Sequence, residues 1–437
     1  MCIVAAGATL SAQKEGGFAG VFAQLFVERC NLKPDILELN PGRLVMHLQR
    51  QLWFTLALQL IASACGEDLD RDLDVDLEHT DRASEIVVSD DAIAFDLVRT
   101  HNLPHGIAGS RSLVFVTEPL NARVMVFSRL TGHHVAVLPP PEGGWQLPFT
   151  ARMVGTNKVS ILDTGGFPAP GTPAIPSIHE YEYTWNPLRR VFRANLVRSI
   201  DFDGIPFGFS EDAANTPDGG YVITDSILGA IWVTHPDGSI TPGIVPNSFA
   251  PDDAIPQLGP CTLPATIVDG IPFRTFGDFG PGVGSVTVHE GHVYFGSTCR
   301  GGVQRVPFAS LIDGRPPHER ASDIEWVSAP AVGAVETLKG LNFNRFDPSD
   351  DALYALDSLQ LQLLRIDVAT GHREVLIEDD ELFNFPVAAD FLPPLVSQAP
   401  PTLVVSSDQE HRFAGINAAI PSDMFELPFL ITKVLIP

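Results

Sequence analysis

The fold is decided by a pattern that stands most clearly at 206–238, PFGFSEDAANTPDGGYVITDSILGAIWVTHPDG. A Pro-x-Gly entry motif leads to an apolar segment that ends in Asp225, and a second apolar segment begins a few residues later. Pro-Asp-Gly triplets at 217–219 and 236–238 bound these segments. β-Branched and aromatic residues favour strands, and Pro-Asp-Gly favours tight turns. The stretch therefore predicts a small antiparallel sheet.

The same unit recurs from about residue 100 to about residue 420, at intervals of about 56 residues. In the sixth copy the second strand is expected at 412–418, RFAGINA. The residue after the first apolar strand of each copy is usually acidic: Glu118, Asp163, Asp225, Ser297, Asp357 and Asp408. A repeated Asp at this position most simply accepts backbone N–H groups of the following loop, so we expect a structural role for it.

Six all-β units without a long helical period predict an all-β fold, a six-bladed β-propeller spanning 91–437. One small sheet cannot bury both of its faces alone, so the blades are expected to pack radially on one another. The ring also has to close. Segments 92–98 and 429–436 are candidate outer strands, of which one completes a blade begun at the other end of the chain. A pair of β-sandwiches is the alternative fold.

The repeated order of Pro-x-Gly, apolar strand, Asp, gap and apolar strand resembles the six-bladed propellers of the NHL-repeat and senescence-marker-protein/gluconolactonase (TolB-like) superfamily. The resemblance covers about residues 100–420 and implies that the middle residue of each entry motif lies at the mouth of a central channel. In gluconolactonase-like enzymes, Glu, Asn and Asp at such positions bind a divalent cation. Here the six positions hold His105, Phe149, Phe207, Val283, Lys339 and Val387. Because none is a carboxylate or Asn, we expect no metal and no other cofactor, with one divalent cation as the alternative.

Four of these channel residues are candidates for function. His105 is a candidate catalytic base or ligand because imidazole titrates near neutral pH, although it could simply bond a backbone carbonyl. Lys339 could hold an anionic ligand, or it could pair with Glu336. Phe149 and Phe207 could form the floor of an apolar pocket, or they could pack between blades.

An insertion at 240–282, rich in Pro, Gly and Phe, separates the third and fourth repeats. Long insertions commonly shape a binding surface, although this one could instead cap an exposed edge. Cys261 and Cys299 could form a disulfide that pins it, or they could be two free thiols. A pinned insertion would present five residues near the channel: Asp252, Asp253, Phe273, Phe276 and Phe279.

The N-terminal part predicts export. The apolar run at 52–64 is too short for a membrane span of roughly 20 residues, but it fits a signal peptide at 46–64. It ends in Ile-Ala-Ser-Ala-Cys, which resembles a bacterial lipobox and makes Cys65 a candidate lipidation site. An acidic tether at 65–90 would follow, and 1–45 would be a mistranslated upstream stretch. A buried helix is the alternative for 52–64.

These features predict a lipid-anchored protein of the bacterial cell envelope, and the residue after the lipobox Cys favours the outer membrane. The net charge is −25 and we identify no basic cluster in the sequence, which argues against nucleic acid as a partner.

Two functions stay open. The first is a binding or scaffold module for a small molecule or an envelope protein. The second is a diverged gluconolactonase-like, metal-dependent hydrolase or lyase, in which His105 and Glu336 or Asp278 would form a metal site at the central channel.

Overall fold

The apolar segments of the repeat form antiparallel strands that pair with their neighbours along the chain. The computed structural model describes residues 86–88, 92–166, 174–248, 253–275, 279–333, 335–396 and 399–436. Within those residues no α-helix is present, and no helix is long and apolar enough to cross a membrane. Short 3₁₀ turns lie at Pro119–Asn121, Phe308–Ile312, Glu319–Asp323 and Glu410–Arg412. The predictions for 1–45, 46–64 and Cys65 fall outside the described residues, as does most of the predicted tether.

Six sheets form the body of the molecule, each with its innermost strand at the centre. From the inside outward, blade 1 contains β3 (Ile107–Gly109), β4 (Leu113–Glu118), β5 (Arg123–Ser128) and β6 (His134–Val137). Blade 2 contains β7 (Pro148–Met153), β8 (Lys158–Asp163), β9 (Ser177–Asn186) and β10 (Val191–Asp201). Blade 3 contains β11 (Ser210–Asn215), β12 (Tyr221–Asp225), β13 (Ala230–Thr234) and β14 (Ile240–Ile244).

The second half of the chain completes the ring. Blade 4 contains β19 (Val283–His289), β20 (His292–Ser297), β21 (Val303–Pro307) and β22 (Glu325–Ser328). Blade 5 contains β23 (Leu338–Phe343), β24 (Ala352–Asp357), β25 (Gln362–Asp367) and β26 (Arg373–Glu378). Blade 6 contains β27 (Pro386–Leu392), β28 (Thr402–Ser407), β29 (Phe429–Leu435), β2 (Ile93–Thr100) and β1 (Ile86–Val88).

The two ends of the chain meet in blade 6. Strand β2 pairs with β29 from Ile93–Leu435 to Thr100–Phe429. The innermost strands contact their neighbours around the ring, including β27 with β3. The six-bladed propeller predicted from the sequence is therefore confirmed, together with its closure by a strand from the other end of the chain. The sandwich alternative is wrong.

Four of the six entry motifs end in glycine, and the backbone is crowded around Gly106 and Gly340. A Cβ on Gly106 would lie 2.4 Å from the carbonyl oxygen of Phe149 in the next blade. Gly340 has a φ of +59°, and a Cβ there would lie 2.7 Å from a methyl carbon of Leu356. Side chains larger than hydrogen would push neighbouring inner strands apart, so these glycines allow the channel to be narrow.

The repeated Asp ties each strand back to its own entry motif. Asp225 accepts hydrogen bonds from the backbone N–H groups of Gly208 (2.7 Å), Phe209 (3.1 Å), Ile227 (3.1 Å) and Leu228 (2.9 Å). Asp163 and Asp357 also accept backbone N–H groups from their own entry and exit loops. The structural role predicted for these three residues is confirmed.

The sixth repeat differs from the prediction. Segment 412–418 is not a strand: the chain forms the 3₁₀ turn Glu410–Arg412 and further turns, and the third strand of the blade is Phe429–Leu435. The apolar residues of this segment pack within the long β28–β29 connection instead, where the Phe413 ring stacks on Phe425 with centroids 5.5 Å apart. Apolar content alone did not distinguish a strand from a loop with its own small core.

The insertion forms two short hairpins after β14. They consist of β15 (Cys261–Thr262) paired with β18 (Phe279–Gly280), and β16 (Thr266–Val268) paired with β17 (Ile271–Phe273). Cys261 and Cys299 form a disulfide with a Cα–Cα distance of 5.8 Å, which selects the bridged alternative and links the insertion to blade 4. Residues 240–244, at the start of the predicted insertion, are the outer strand of blade 3.

Replacing Asp225 by Asn is expected to lower the free energy of unfolding by about 2 kcal/mol at pH 7, because an amide N–H₂ would face a backbone N–H donor. Burial raises the pKa of Asp225 to about 6, although the four backbone N–H donors oppose the shift. The folded protein therefore binds this proton more tightly than the unfolded chain, and the stabilisation by Asp225 grows as the pH falls below about 6.

Between pH 7 and pH 5 the stability difference between wild type and Asp225→Asn should widen by about 1 kcal/mol. Urea unfolding at both pH values measures this difference. A difference that stayed constant or narrowed would contradict the pKa shift.

Candidate functional site

The entry ends of the inner strands surround a narrow cavity at one end of the channel. Its lining comes from all six blades and includes His105, Gly106, Thr150, Arg152, Glu211, Asp212, Ser285, Lys339, Gly340, Val387 and Ala388. Three of the six entry positions therefore face the cavity. The other three, Phe149, Phe207 and Val283, are absent from this lining.

The two aromatic entry residues pack against protein. The Phe149 ring lies against the imidazole of His105, with centroids 3.7 Å apart. Phe207 is buried in the core, where its ring contacts Phe202 and Trp232 at centroid distances of 5.3 and 5.5 Å. Phe149 thus supports a cavity residue, and Phe207 packs between strands.

His105 presents an unoccupied nitrogen to its surroundings. Its Nδ1 donates a hydrogen bond to the carbonyl oxygen of Phe149 (3.1 Å), which leaves Nε2 as an acceptor. Nε2 is buried and has no hydrogen-bond partner in the described part of the chain, and it lies 4.0 Å from Oδ2 of Asp408. Burial and then the charge of Lys339 lower the pKa of His105 to about 3. The imidazole is therefore neutral at neutral pH, with a free lone pair on Nε2.

Lys339 is a buried ammonium group held by a carboxylate. Its Nζ donates to Oε1 and Oε2 of Glu410 at 3.0 and 3.1 Å and lies 5.8 Å from the centroid of the Phe385 ring. Burial alone would lower the pKa of Lys339, but Glu410, Glu211 and Asp408 together raise it above its usual value. The partner considered from the sequence, Glu336, instead accepts a hydrogen bond from Arg373 (2.8 Å).

Carboxylates outnumber cations around Lys339. The Lys339 ammonium has three carboxyl groups near it, Glu410, Glu211 and Asp408. Burial, and then the charge of Glu410, raises the pKa of Asp408 well above its usual value. Burial also raises the pKa of Glu211, and the Glu410 and Asp212 charges add to that rise. The cluster thus contains more carboxyl groups than cationic groups, which favours a bound proton or a bound cation.

A second ion pair lies deeper in the channel. Asp212 accepts hydrogen bonds from Nη2 of Arg152 (2.7 and 3.0 Å), the N–H of Val286 (2.9 Å) and the hydroxyl of Ser285 (3.3 Å). Arg152 also donates through Nε to the carbonyl oxygen of Ala213 (3.1 Å). With its hydrogen-bonding groups largely satisfied by protein, this pair forms a polar wall for the cavity and holds blades 2, 3 and 4 together.

The insertion supports the site from outside. Asn417 donates from Nδ2 to the carbonyl oxygen of Pro272 (2.7 Å), Arg412 pairs with Asp269, and the Ala418 N–H donates to the carbonyl oxygen of Arg274 (2.7 Å). These contacts fix the β28–β29 connection, residues 408–428, which carries Asp408 and Glu410.

The insertion residues that we expected near the channel do not lie together. Phe273 is buried, with its ring centroid 5.6 Å from that of Phe385. Asp253 is exposed and accepts a hydrogen bond from Ser248. Asp252, Phe276 and Asp278 lie outside the described residues, as does the side chain of Phe279.

His105, Asp408 and Glu410 form a set of donors of the kind that binds metal ions. One nitrogen and two carboxylate oxygens lie within 4.8 Å of one another. A nitrogen with two carboxylates suits several divalent metals. However, both oxygens of Glu410 already accept hydrogen bonds from the Lys339 ammonium, so Glu410 is not available as a metal ligand. As arranged here, the residues do not fit a divalent metal.

Replacing Lys339 by Met is expected to create a divalent cation site at His105, Asp408 and Glu410. Removal of the ammonium frees Glu410 and should increase the affinity for Zn²⁺ or Mn²⁺ by about 100-fold or more. Isothermal titration calorimetry and metal content by mass spectrometry measure the change. The double variant Lys339→Met/His105→Ala should lose the gain. Wild-type protein that carried one equivalent of tightly bound metal would contradict the exclusion by Lys339.

Comparison with known proteins gives structural likeness only. No family model and no curated protein matches the sequence. A gluconolactonase from Xanthomonas campestris is 10% identical, with 82% of this chain and 95% of that chain covered and a TM-score of 0.46. A virginiamycin B lyase from Staphylococcus aureus is 10% identical, with 81% and 100% covered and a TM-score of 0.42.

A luciferin-regenerating enzyme is 7% identical, with 79% of this chain and 95% of that chain covered and a TM-score of 0.48. Because each of these TM-scores is below 0.5, the assignment of the fold rests on the strand pairing and the ring closure. On those grounds the chain is a six-bladed β-propeller, the architecture that its repeats predicted.

Proposed function

We propose that this chain is an exported binding protein that takes a small, positively charged ligand at the mouth of its channel. The observation that carries the proposal is the cluster of Glu211, Asp408 and Glu410 around the single ammonium of Lys339, beside the unpartnered Nε2 of His105. A cation is the natural occupant of a site with more buried carboxylates than positive groups.

The cavity has a volume of about 20 Å³ and admits only a water-sized group, such as one primary ammonium. Gly106, Gly340 and Ala388 line it with little side-chain bulk, and Val387 adds an apolar contact. A ligand ammonium could donate hydrogen bonds to Nε2 of His105 and to the oxygens of Asp408 and Glu211. Since Glu410 already neutralises Lys339, an anionic ligand would first have to displace this carboxylate. The geometry therefore favours a cation over the anion considered for Lys339 from the sequence.

Calorimetric titration of the 437-residue chain with the primary amines putrescine and agmatine tests the proposal. Choline, a cation without an N–H donor, and citrate, an anion, are the comparisons. Binding of at least one amine is expected, and Glu211→Gln or Asp408→Asn should weaken it by about tenfold or more, because each removes a charged hydrogen-bond acceptor. Glu182→Gln and Asp380→Asn, which change exposed carboxylates elsewhere, are matched controls. Binding of citrate alone, or equal amine affinity in all four variants, would contradict the proposal.

A metal-dependent hydrolase or lyase is the second candidate function. The observation in its favour is a set of three potential metal ligands, provided by His105, Asp408 and Glu410. The six entry positions by themselves provide only one such ligand, His105. This function requires Lys339 to release Glu410 when a metal binds. The metal content of wild-type protein, compared with that of Lys339→Met, separates the two candidates.

The location is also a proposal. The sequence at 46–65 and the oxidised pair Cys261–Cys299 support export, since disulfides persist mainly outside the cytoplasm. We place the protein on the bacterial cell envelope through a lipid on Cys65, in the outer membrane where the host has one. An envelope protein is the alternative partner to a small molecule.

Metabolic labelling with palmitate in a bacterial host tests the anchor. The wild-type chain should incorporate label and fractionate with membranes, whereas Cys65→Ser should do neither, because the thiol that carries the lipid is gone. Cys30→Ser is the control. Label that persisted in Cys65→Ser would show that the predicted lipobox is not used.

A further inference from the structure

The outer hairpin of blade 2 projects beyond its own sheet. Strands β9 and β10 have 10 and 11 residues, whereas β8 has six. Pairing of β9 with β8 ends at Glu182, but pairing of β9 with β10 continues to Asn186 and Val191. Four further residues of extended chain reach about 13 Å past the sheet. The tip, residues 184–193, therefore extends past the last β8–β9 pair, although its Phe192 ring still lies 6.4 Å (centroid to centroid) from Phe115 of blade 1.

The tip combines exposed apolar and basic side chains. Leu188 is 96% exposed and Val191 is 40% exposed. Arg189, Arg190 and Arg193 are exposed, and their side chains form no ion pair or hydrogen bond with any described residue. Arg198, further down β10, does pair with Glu180 (2.9 Å). These three arginines lie within five consecutive residues at the turn and the start of β10, so the chain does contain one short basic cluster.

Two half-buried aromatic residues support the tip. Trp185 and Phe192 are paired across the hairpin, and the Phe192 ring stacks on Tyr183 with centroids 6.2 Å apart. Both side chains also pack against the core of blades 1 and 2, so they anchor the hairpin. The groups that the tip leaves free for a bilayer are the exposed Leu188 and the arginines, a combination that suits the headgroup region. The nearest acidic residue on the hairpin, Glu182, is opposite Asn195, outside the tip.

The tip is positively charged, whereas the chain as a whole is strongly acidic. A chain with a net charge of −25 is repelled by anionic surfaces, so an anionic surface can approach only where the local charge is reversed. We propose that the β9–β10 tip is a membrane contact that inserts Leu188 among anionic lipid headgroups while Arg189, Arg190 and Arg193 pair with their phosphates. This inference does not depend on the proposed ligand or on a lipid at Cys65.

The position of the tip is compatible with a ligand in the channel. The entry residue Pro148 pairs with Asp163 at one end of β8, and the hairpin turn lies beyond Lys158 at the other end. The tip thus points away from the channel mouth, and a membrane bound at the tip leaves the mouth open.

Co-sedimentation with vesicles tests the proposal. The full chain carrying Cys65→Ser, so that no lipid contributes, is mixed with vesicles of equal parts phosphatidylcholine and phosphatidylglycerol, or of phosphatidylcholine alone. Binding to the anionic vesicles only is expected. Arg189→Gln/Arg190→Gln/Arg193→Gln should weaken this binding by about tenfold or more. Leu188→Ser should also weaken it while the charge stays the same, which a purely electrostatic attraction would not show.

A control with the same change of charge is Arg305→Gln/Arg315→Gln/Arg365→Gln, which alters surface arginines of blades 4 and 5. It should bind like the parent protein. Absence of binding to anionic vesicles would overturn the proposal, and so would binding that survives the tip substitutions. Equal losses in the tip and control variants would show a general effect of charge and overturn it as well.

Discussion

Closure of the ring by β2 and β29 is the constraint on which the candidate site depends. Seven residue pairs join these strands and complete blade 6 between blades 5 and 1. Only then does β27 contact both β23 and β3. His105, Lys339 and Val387 belong to three different blades, so their common cavity exists only in the closed ring. The pairing of β2 with β29, although it lies far from the channel, therefore maintains the geometry of the channel mouth.

The sequence was sufficient for the blades because the same physical requirement acts in each repeat. The second strand of each blade is buried between neighbouring sheets and must be apolar. The narrow centre demands glycine at Gly106 and Gly340, and the loop amides need an acceptor such as Asp225. These demands leave a repeated pattern. The β28–β29 connection could not be predicted from the repeats, because its contacts through Phe413 and Asn417 occur in one long loop. The other repeats have no loop whose sequence could be compared with it.

Only part of the site could be predicted from the sequence, for a related reason. His105 and Lys339 occupy repeat positions and could be identified by alignment of the repeats. Glu211 reaches the cavity because the pairing of β11 with β12 shifts register between Ser210 and Asp212. Glu410 reaches the Lys339 ammonium because the chain enters a 3₁₀ turn at Gln409, which has a φ of +57°. Neither a local register shift nor a positive φ at a non-glycine residue leaves a clear mark in composition.

The insertion has a mechanical consequence for the ring. It is covalently linked to blade 4 through Cys261–Cys299 and hydrogen-bonded to the β28–β29 connection of blade 6 through Pro272 and Asn417. Together these links form a strut that bypasses blade 5. A propeller is usually stabilised by contacts between adjacent blades. Here, a displacement of the segment that carries Glu410 would also strain the insertion, which the disulfide links to blade 4. The carboxyl groups beside Lys339 are thus held in position by contacts from blade 4 as well as from blade 6.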